Sequence, residues 1–355
     1  MAHDDIELAE FAAMSVVYVD SADFSNRVLG CLRSADADSN HRVRVGLAAL
    51  KYADTYSVPS LARLVAQAVS ETDLSAVEEL VQLEFRMVCE AASGEPELTV
   101  PYARQLHAIA AALPPAAAVG AVLNAGHAYW RAGLLQDSCA ALRLAYELAG
   151  QCGAVRRQVA AAMHLAVIAC DQGENQSAEL WRQAIHELQK SSARDIGEFA
   201  FALFQLDFAF IDADLRRAEV ILAAADKRGL FSSAIRLRWR RYIDARMRQL
   251  ADPRAISGRE LAAFLLDCSD AASTSGIREA EIAVICVALV AQGRIDEARE
   301  RLLDFLCWHS RYSRAPIPRQ LQQVVFESGV GDLLSEDIAP AIRKSVSGRQ
   351  PSVRI

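Results

Sequence analysis

Apolar residues recur along this chain at intervals of three and four, the spacing that puts them on one face of a helix, and no stretch sustains the alternation of a half-buried strand. The pattern is sharpest from Ala121 to Gly150, AVLNAGHAYWRAGLLQDSCAALRLAYELAG. It predicts two helices joined at Gly133, with Ala125, Gly126 and Tyr129 on the first and Ser138, Leu142 and Ala145 on the second. Gly126 and Ser138 are small enough to let two backbones approach where the helices cross, Tyr129 and Leu142 fill the space beside the crossing, and Gly133 supplies a permissive turn.

Upstream, residues 1–35 predict two short helices broken near Asp20 to Phe24, followed by Arg42 to Tyr56, Pro59 to Glu71, Leu74 to Ala92 and Tyr102 to Leu113. Pro59 falls in a first turn, where a missing N–H costs nothing, and Ser75-x-x-Glu78 has the form of a capping box. Ser93 to Glu97 reads as a loop, and Pro114-Pro115 punctuates before the sharp pattern begins. Downstream, Met163 to Asp171 and Ser177 to Leu188 flank a turn at Gly173, Phe199 to Asp212 and Arg216 to Arg228 flank one near Ala213, and Ile277 to Gln292 and Ile295 to Tyr312 flank Gly293. Ala298, Leu302 and Phe305 stand at the second-helix positions of that last unit. Gly133, Gly173 and Ala213 are equally spaced. A less regular pair, Ser233 to Leu250 and Glu260 to Asp267, is joined through Asp252-Pro253 and capped by Ser257-x-x-Glu260.

The expected fold is therefore all-α, a tetratricopeptide-like α-solenoid of stacked antiparallel helix pairs. A single pair cannot bury its apolar face, whereas a stack extends one core and leaves an inner groove. The expected organisation is a helical region over 1–113, the superhelical array over 114–312, capping helices over 313–344 and a disordered tail over 345–355.

Residues 116–310 resemble tetratricopeptide-repeat proteins, with the match strongest over 121–150. The unit of that family is about 34 residues, shorter than the interval between the turns of this chain. The longer period and the Ala- and Arg-rich helices look like the sensor arrays of bacterial transcription regulators of the maltose-activator class. That resemblance implies an array that binds an inducer or a regulatory protein. The ATPase of that class does not accompany it, because no G-x-x-x-x-G-K-[ST] loop is present and no glycine precedes a lysine.

Composition narrows the partners. With 52% hydrophobic and 23% charged residues the chain can pack a core, and a net charge of −7 does not suit direct nucleic-acid binding. The acidic N-terminus lacks the basic start of a secretory signal, and the longest apolar run, Ile282 to Ala291, is about half of a bilayer span. A cytoplasmic protein without a membrane partner is expected. The eight cysteines form no C-x-x-C pair and read as buried small hydrophobes.

Motifs of chemistry are missing or incomplete. Asp36 to Asn40 imitates the start of a calcium loop, but His41 replaces the turn glycine and Leu47 the bidentate glutamate. There is no G-x-S-x-G elbow, no H-E-x-x-H pair and no dinucleotide fingerprint. Cys307-Trp308-His309 places a thiol two residues from an imidazole, which on a helix directs them apart. His127 and His164 lie far apart in sequence and predict no zinc site. No enzyme, cofactor or metal is expected.

In the repeat family the inner face belongs to the first helix of each pair. Carried over, that face is Leu123, His127, Trp130 and Arg131 in the first unit. It is Met163, Val167, Cys170 and Asp171 in the second, and Leu203, Asp207 and Phe210 in the third. Trp130 and Phe210 would offer flat apolar contact, with His127, Arg131 and Asp207 as polar handles. A one-position error in alignment turns each side chain by about 100° into the packing between units. The segment Ile235 to Arg248 adds Arg236 and Arg240 on one face beside Trp239 and Tyr242. Clustered guanidinium groups suit an acidic peptide or a phosphate-bearing ligand. The expected function is a non-enzymatic regulatory module that binds a protein or peptide in its groove, in transcription regulation or signalling. The alternatives are an inducer sensor or an assembly and secretion chaperone. The oligomeric state is not encoded in these patterns.

Overall fold

A computed structural model describes residues 28–30, 32–33, 39–55, 64–68, 79–93, 96–191, 198–231, 234–268, 275–313, 315, 317, 319 and 321–322. The expectations for residues 1–27, for Ser75-x-x-Glu78, for Asp36 to Asp38 and for the chain beyond Gln322 lie outside the described residues, as do most of Pro59 to Glu71 and the side chains of Cys307 and Trp308. The described residues are all-helical and contain no strand.

Helix α1 spans Ser39–Thr55 and α2 Glu79–Ser93; a 3-10 turn at Pro96–Leu98 leads into α3, Thr99–Ala110. Next come α4, Pro115–Arg131, α5, Leu135–Cys152, α6, Val155–Asp171, and α7, Asn175–Ser191. Then follow α8, Glu198–Ile211, α9, Leu215–Lys227, α10, Ala234–Ala251, α11, Gly258–Cys268, α12, Ser275–Ala291, and α13, Ile295–Tyr312. Helix α4 begins at Pro115, whose missing N–H falls where no intrahelical acceptor exists. From α1 to α7, each described helix packs on the next; α8 packs on α9, α9 on α10, α11 on α12 and α12 on α13.

Some alternate helices also touch, α2 against α4, α4 against α6, α8 against α10 and α10 against α12. Helix α13 reaches back to α2, near the start of the described residues. No helix among the described residues is long and apolar enough to cross a membrane.

The turns explain the register. Gly133, Gly173 and Gly293 take left-handed backbone, with φ of 77°, 76° and 75°, and Ala213 takes the same region at 52°. Each lets the next amide reach back along the helix, Leu134 N–H to the Tyr129 carbonyl at 2.8 Å and Asp214 N–H to that of Ala209 at 2.8 Å. This closes the helix C-terminus on its otherwise unpaired carbonyls. The same interval carried on from Ala213 predicts a further turn at position 253, which is Pro253. Proline holds φ at about −65° and cannot become left-handed. Here the chain instead makes a longer link, in which Asp252 Oδ1 accepts from Arg254 N–H at 2.9 Å. The link ends in the expected capping box: Glu260 N–H donates to Ser257 Oγ at 3.3 Å, and Ser257 N–H donates to Glu260 Oε2 at 3.0 Å.

Small residues sit where the helices touch. Ser138, Ala218 and Ala298 are fully buried, and Ser138 Oγ donates to the Gly126 carbonyl at 2.8 Å across the α4–α5 crossing. A Cβ on Gly126 would lie 2.8 Å from Leu142 Cγ, closer than packed carbons tolerate. Leu142 is fully removed from water, a burial that stabilises by about 1.5–3 kcal/mol. The buried apolar residues include an alanine-rich cluster from Leu83 to Ala161, one from Val159 to Phe208, a bulkier one from Ala202 to Leu321, and a small one of Leu142, Leu165 and Ile168.

Candidate functional site

Four even-numbered helices turn side chains into one cavity of about 140 Å³. Helix α6 contributes Val167, Cys170 and Asp171; α8 contributes Phe204, Asp207, Phe208 and Ile211; α10 contributes Trp239; α12 contributes Glu279, Ala280 and Ala283. Arg319 and Leu321, past the end of α13, complete the wall. Three carboxyl groups thus share a space otherwise lined by aromatic and aliphatic carbon.

Their environment governs their charge. Burial pushes the Asp207 carboxyl up to about 7. Burial, then the nearby charges of Asp171 and Asp207, pushes Glu279 up to about 8. Low dielectric disfavours the ionised form, and like charges in a small space cannot all ionise cheaply. Asp171, 3% exposed, accepts the Arg319 backbone N–H on Oδ1 at 2.8 Å. The His309 Nε2 stands 4.0 Å from Glu279 Oε1. Near neutral pH the cavity therefore holds carboxyl groups poised to lose a proton when a positive charge arrives.

The Cys170 thiol is pushed up to about 11, by burial first and then by Asp171, which keeps it protonated and poorly nucleophilic. Cys286 is pushed up to about 12 by burial alone. The described cysteines Cys89, Cys139, Cys152, Cys170 and Cys286 are free thiols. No group of three or more metal-binding side chains occurs among the described residues.

No protein family, curated protein or solved structure matches the chain.

The structure brings Asp171 and Asp207 together in the cavity, with Val167 and Cys170 beside them. Phe210, about one turn along from Asp207, does not line the cavity: it is 2% exposed and meets Tyr242 edge-on at 6.4 Å between ring centroids. The first-unit positions do not reach the cavity. His127 packs against His164 of α6, ring centroids 3.8 Å apart, and His164 is held well below its ordinary range by burial and by its neighbour. Leu123 and Trp130 are half-buried and pack against Leu142, Leu165 and Ile168. Arg131 Nη2 donates to the Ala91 carbonyl at 3.2 Å, in the last turn of α2, where a cation complements the helix dipole.

Arg240, on which the expectation of an acidic partner rests, is engaged on its own helix and the preceding one. Its Nε donates to Asp244 at 3.0 Å, its Nη1 pairs with Asp226, and its guanidinium lies 5.8 Å from the Phe231 ring. Arg236 lies on α10, with its side chain outside the described residues. Elsewhere on α10, Arg238 forks onto the fully buried Glu281 at 2.5 and 2.7 Å, and Arg241 stacks 4.7 Å from Phe264.

Trp239 enters the sequence expectations only as a neighbour of Arg236 and Arg240 and Glu279 does not enter them, although both belong to the cavity. The interval between them on α10 and α12 is the one that separates Gly133 from Gly173. That interval is the signal that marks them.

Proposed function

We propose that the chain is a non-enzymatic binding module, a tetratricopeptide-like α-solenoid of stacked helix pairs whose inner face takes a basic side chain of a protein or peptide partner. One observation carries this reading: the cavity that joins Asp171, Asp207 and Glu279 to Trp239, Phe204 and Phe208 draws on four alternate helices, α6, α8, α10 and α12. In the repeat family that face is the binding face. Carboxylates attract a cation, and aromatic faces add about 0.5–2 kcal/mol for a cation held over the ring.

Size selects the occupant. Pockets for drug-sized ligands run from about 300 to 1,000 Å³. A space of about 140 Å³ suits the end of one lysine or arginine side chain, presented by a peptide lying along the array. The same dimensions favour a second reading, a sensor for a small organic amine. The resemblance to regulator sensor arrays directs either reading towards transcription regulation or signalling.

A peptide array probed with the purified chain tests the proposal. Retained peptides should carry lysine or arginine, and a double variant, Asp207→Asn with Glu279→Gln, should lose them. Retention of the same peptides by both proteins refutes the reading. A thermal-shift series with small amines separates the second reading, since a ligand that binds only the folded state raises its stability.

A further inference from the structure

We propose that the cleft between α7 and α8 is a second ligand site, which takes a small aromatic carboxylate. The close packing that carries each helix onto the next from α1 to α7 is not continued from α7 to α8 among the described residues. The space between them is a cavity of about 320 Å³, more than twice the acidic one and at the lower end of the range of about 300–1,000 Å³ that holds organic ligands. One side is apolar: Phe201, Phe204 and Phe208 of α8 line it, with successive ring centroids 6.3 and 4.9 Å apart. Arg182 and Gln183 of α7, Gln205 of α8 and Arg217 of α9 bring hydrogen-bond donors to the same space. Flat rings on one side and amide and guanidinium donors on the other suit a ligand that is a ring at one end and an acceptor at the other.

Arg182 decides which acceptor. Its side chain is 15% exposed, and its guanidinium lies 4.8 Å from the centroid of the Phe208 ring. Nη1 donates to Asp212 Oδ2 at 3.3 Å and pairs with Glu179 Oε2 at 3.0 Å. Nε and Nη2 have no protein partner among the described residues. Those two atoms form the edge of a guanidinium whose parallel N–H groups match a carboxylate. The neighbouring acids leave that edge open, since Asp212 and Glu179 meet Nη1 and Glu187 pairs with Lys190 at 2.8 Å. Arg217, with Nη1 3.6 Å from Asp212, brings a second positive charge to the cleft. A ring without a carboxylate leaves the Arg182 edge unmet, and a carboxylate without a ring leaves the phenylalanines uncovered.

Fluorine NMR tests the site, with the full chain titrated into para-trifluoromethylbenzoate. The uncharged para-trifluoromethylbenzamide and the ringless trifluoroacetate are the comparison probes. The benzoate should bind at least about tenfold more tightly than either. Arg182→Lys keeps the charge and loses the fork, and should weaken the benzoate about tenfold while leaving the benzamide unchanged. Gln183→Glu, at an exposed position, spares the packing and sets a like charge in the cleft, so it should weaken the benzoate too. Arg240→Lys, outside the cleft, should leave all three probes unchanged. No binding of the benzoate overturns the proposal, as does equal binding of the benzamide. Equal binding of trifluoroacetate, an adventitious ion only, overturns it as well. So does a benzoate affinity that either cleft variant leaves unchanged, or that Arg240→Lys lowers as far as Arg182→Lys does. Phe204 and Phe208 line both cavities, so neither is altered in the test. The double variant Asp207→Asn with Glu279→Gln should bind the benzoate as wild type does. This result and that of the peptide array therefore stand or fall separately.

Discussion

Replacing Glu279 by glutamine tests the electrostatics of the cavity directly. The native carboxyl keeps its proton up to about pH 8, whereas the unfolded chain releases it near 4.5. Between those values the folded state binds more protons, so stability is fully present below about 4.5 and drains away as pH rises towards 8. At about 1.4 kcal/mol per decade the full interval corresponds to about 5 kcal/mol. The Glu279 side chain keeps 26% of its exposure, and water screens what it reaches, so roughly 2 kcal/mol is the expected loss. Glutamine has the shape of the protonated acid and never ionises. The variant should match wild type within about 0.5 kcal/mol at about pH 5 and exceed it by about 2 kcal/mol at about pH 8.5. Urea denaturation followed by far-UV circular dichroism at the two pH values measures both differences. A gap between the proteins that stays constant with pH would refute the argument, because a packing effect alone carries no proton linkage.

Two further expectations concern the scaffold. Arg238→Ala should cost about 3–5 kcal/mol, since it strips the fork from fully buried Glu281, whereas Arg240→Ala should cost about 1 kcal/mol or less at its solvent-screened pairs with Asp226 and Asp244; denaturant midpoints compare the two. Ala213→Gly should stabilise by about 0.5–1 kcal/mol, by relieving a left-handed alanine, and Gly133→Ala should destabilise by about 1–2 kcal/mol, as thermal unfolding will show.

The helices and their turns were legible because they depend on local chemistry. Gly133, Gly173 and Gly293 mark C-termini that only a left-handed residue closes, and the Ser257–Glu260 box marks an N-terminus whose donors need acceptors. The even spacing was visible at Gly133, Gly173 and Ala213, and it was the interruption by Pro253 that hid its continuation to Gly293.

The site was only half legible. Asp171 and Asp207 could be found because each follows from its offset within a unit. Phe210 shows the limit of that method: one turn from Asp207 on the same helix, it faces the core instead. That Glu279 and Trp239 meet Asp207 depends on how α8, α10 and α12 pack, which is summed over many contacts and which the sequence interval between them signals only in part. Arg240 illustrates the opposite error, since guanidinium groups that look available in a linear sequence are matched by Asp226 and Asp244 once the helices pack.

His127, Val167 and Asp207 recur at one sequence interval on α4, α6 and α8 and hold an imidazole, an isopropyl group and a carboxyl. The residues that set the architecture, at the turns and the helix crossings, are different ones. Of the three, Asp207 and Val167 line the cavity while His127 packs on His164, so what lines the cavity can change at such positions without touching the residues at the turns and helix crossings.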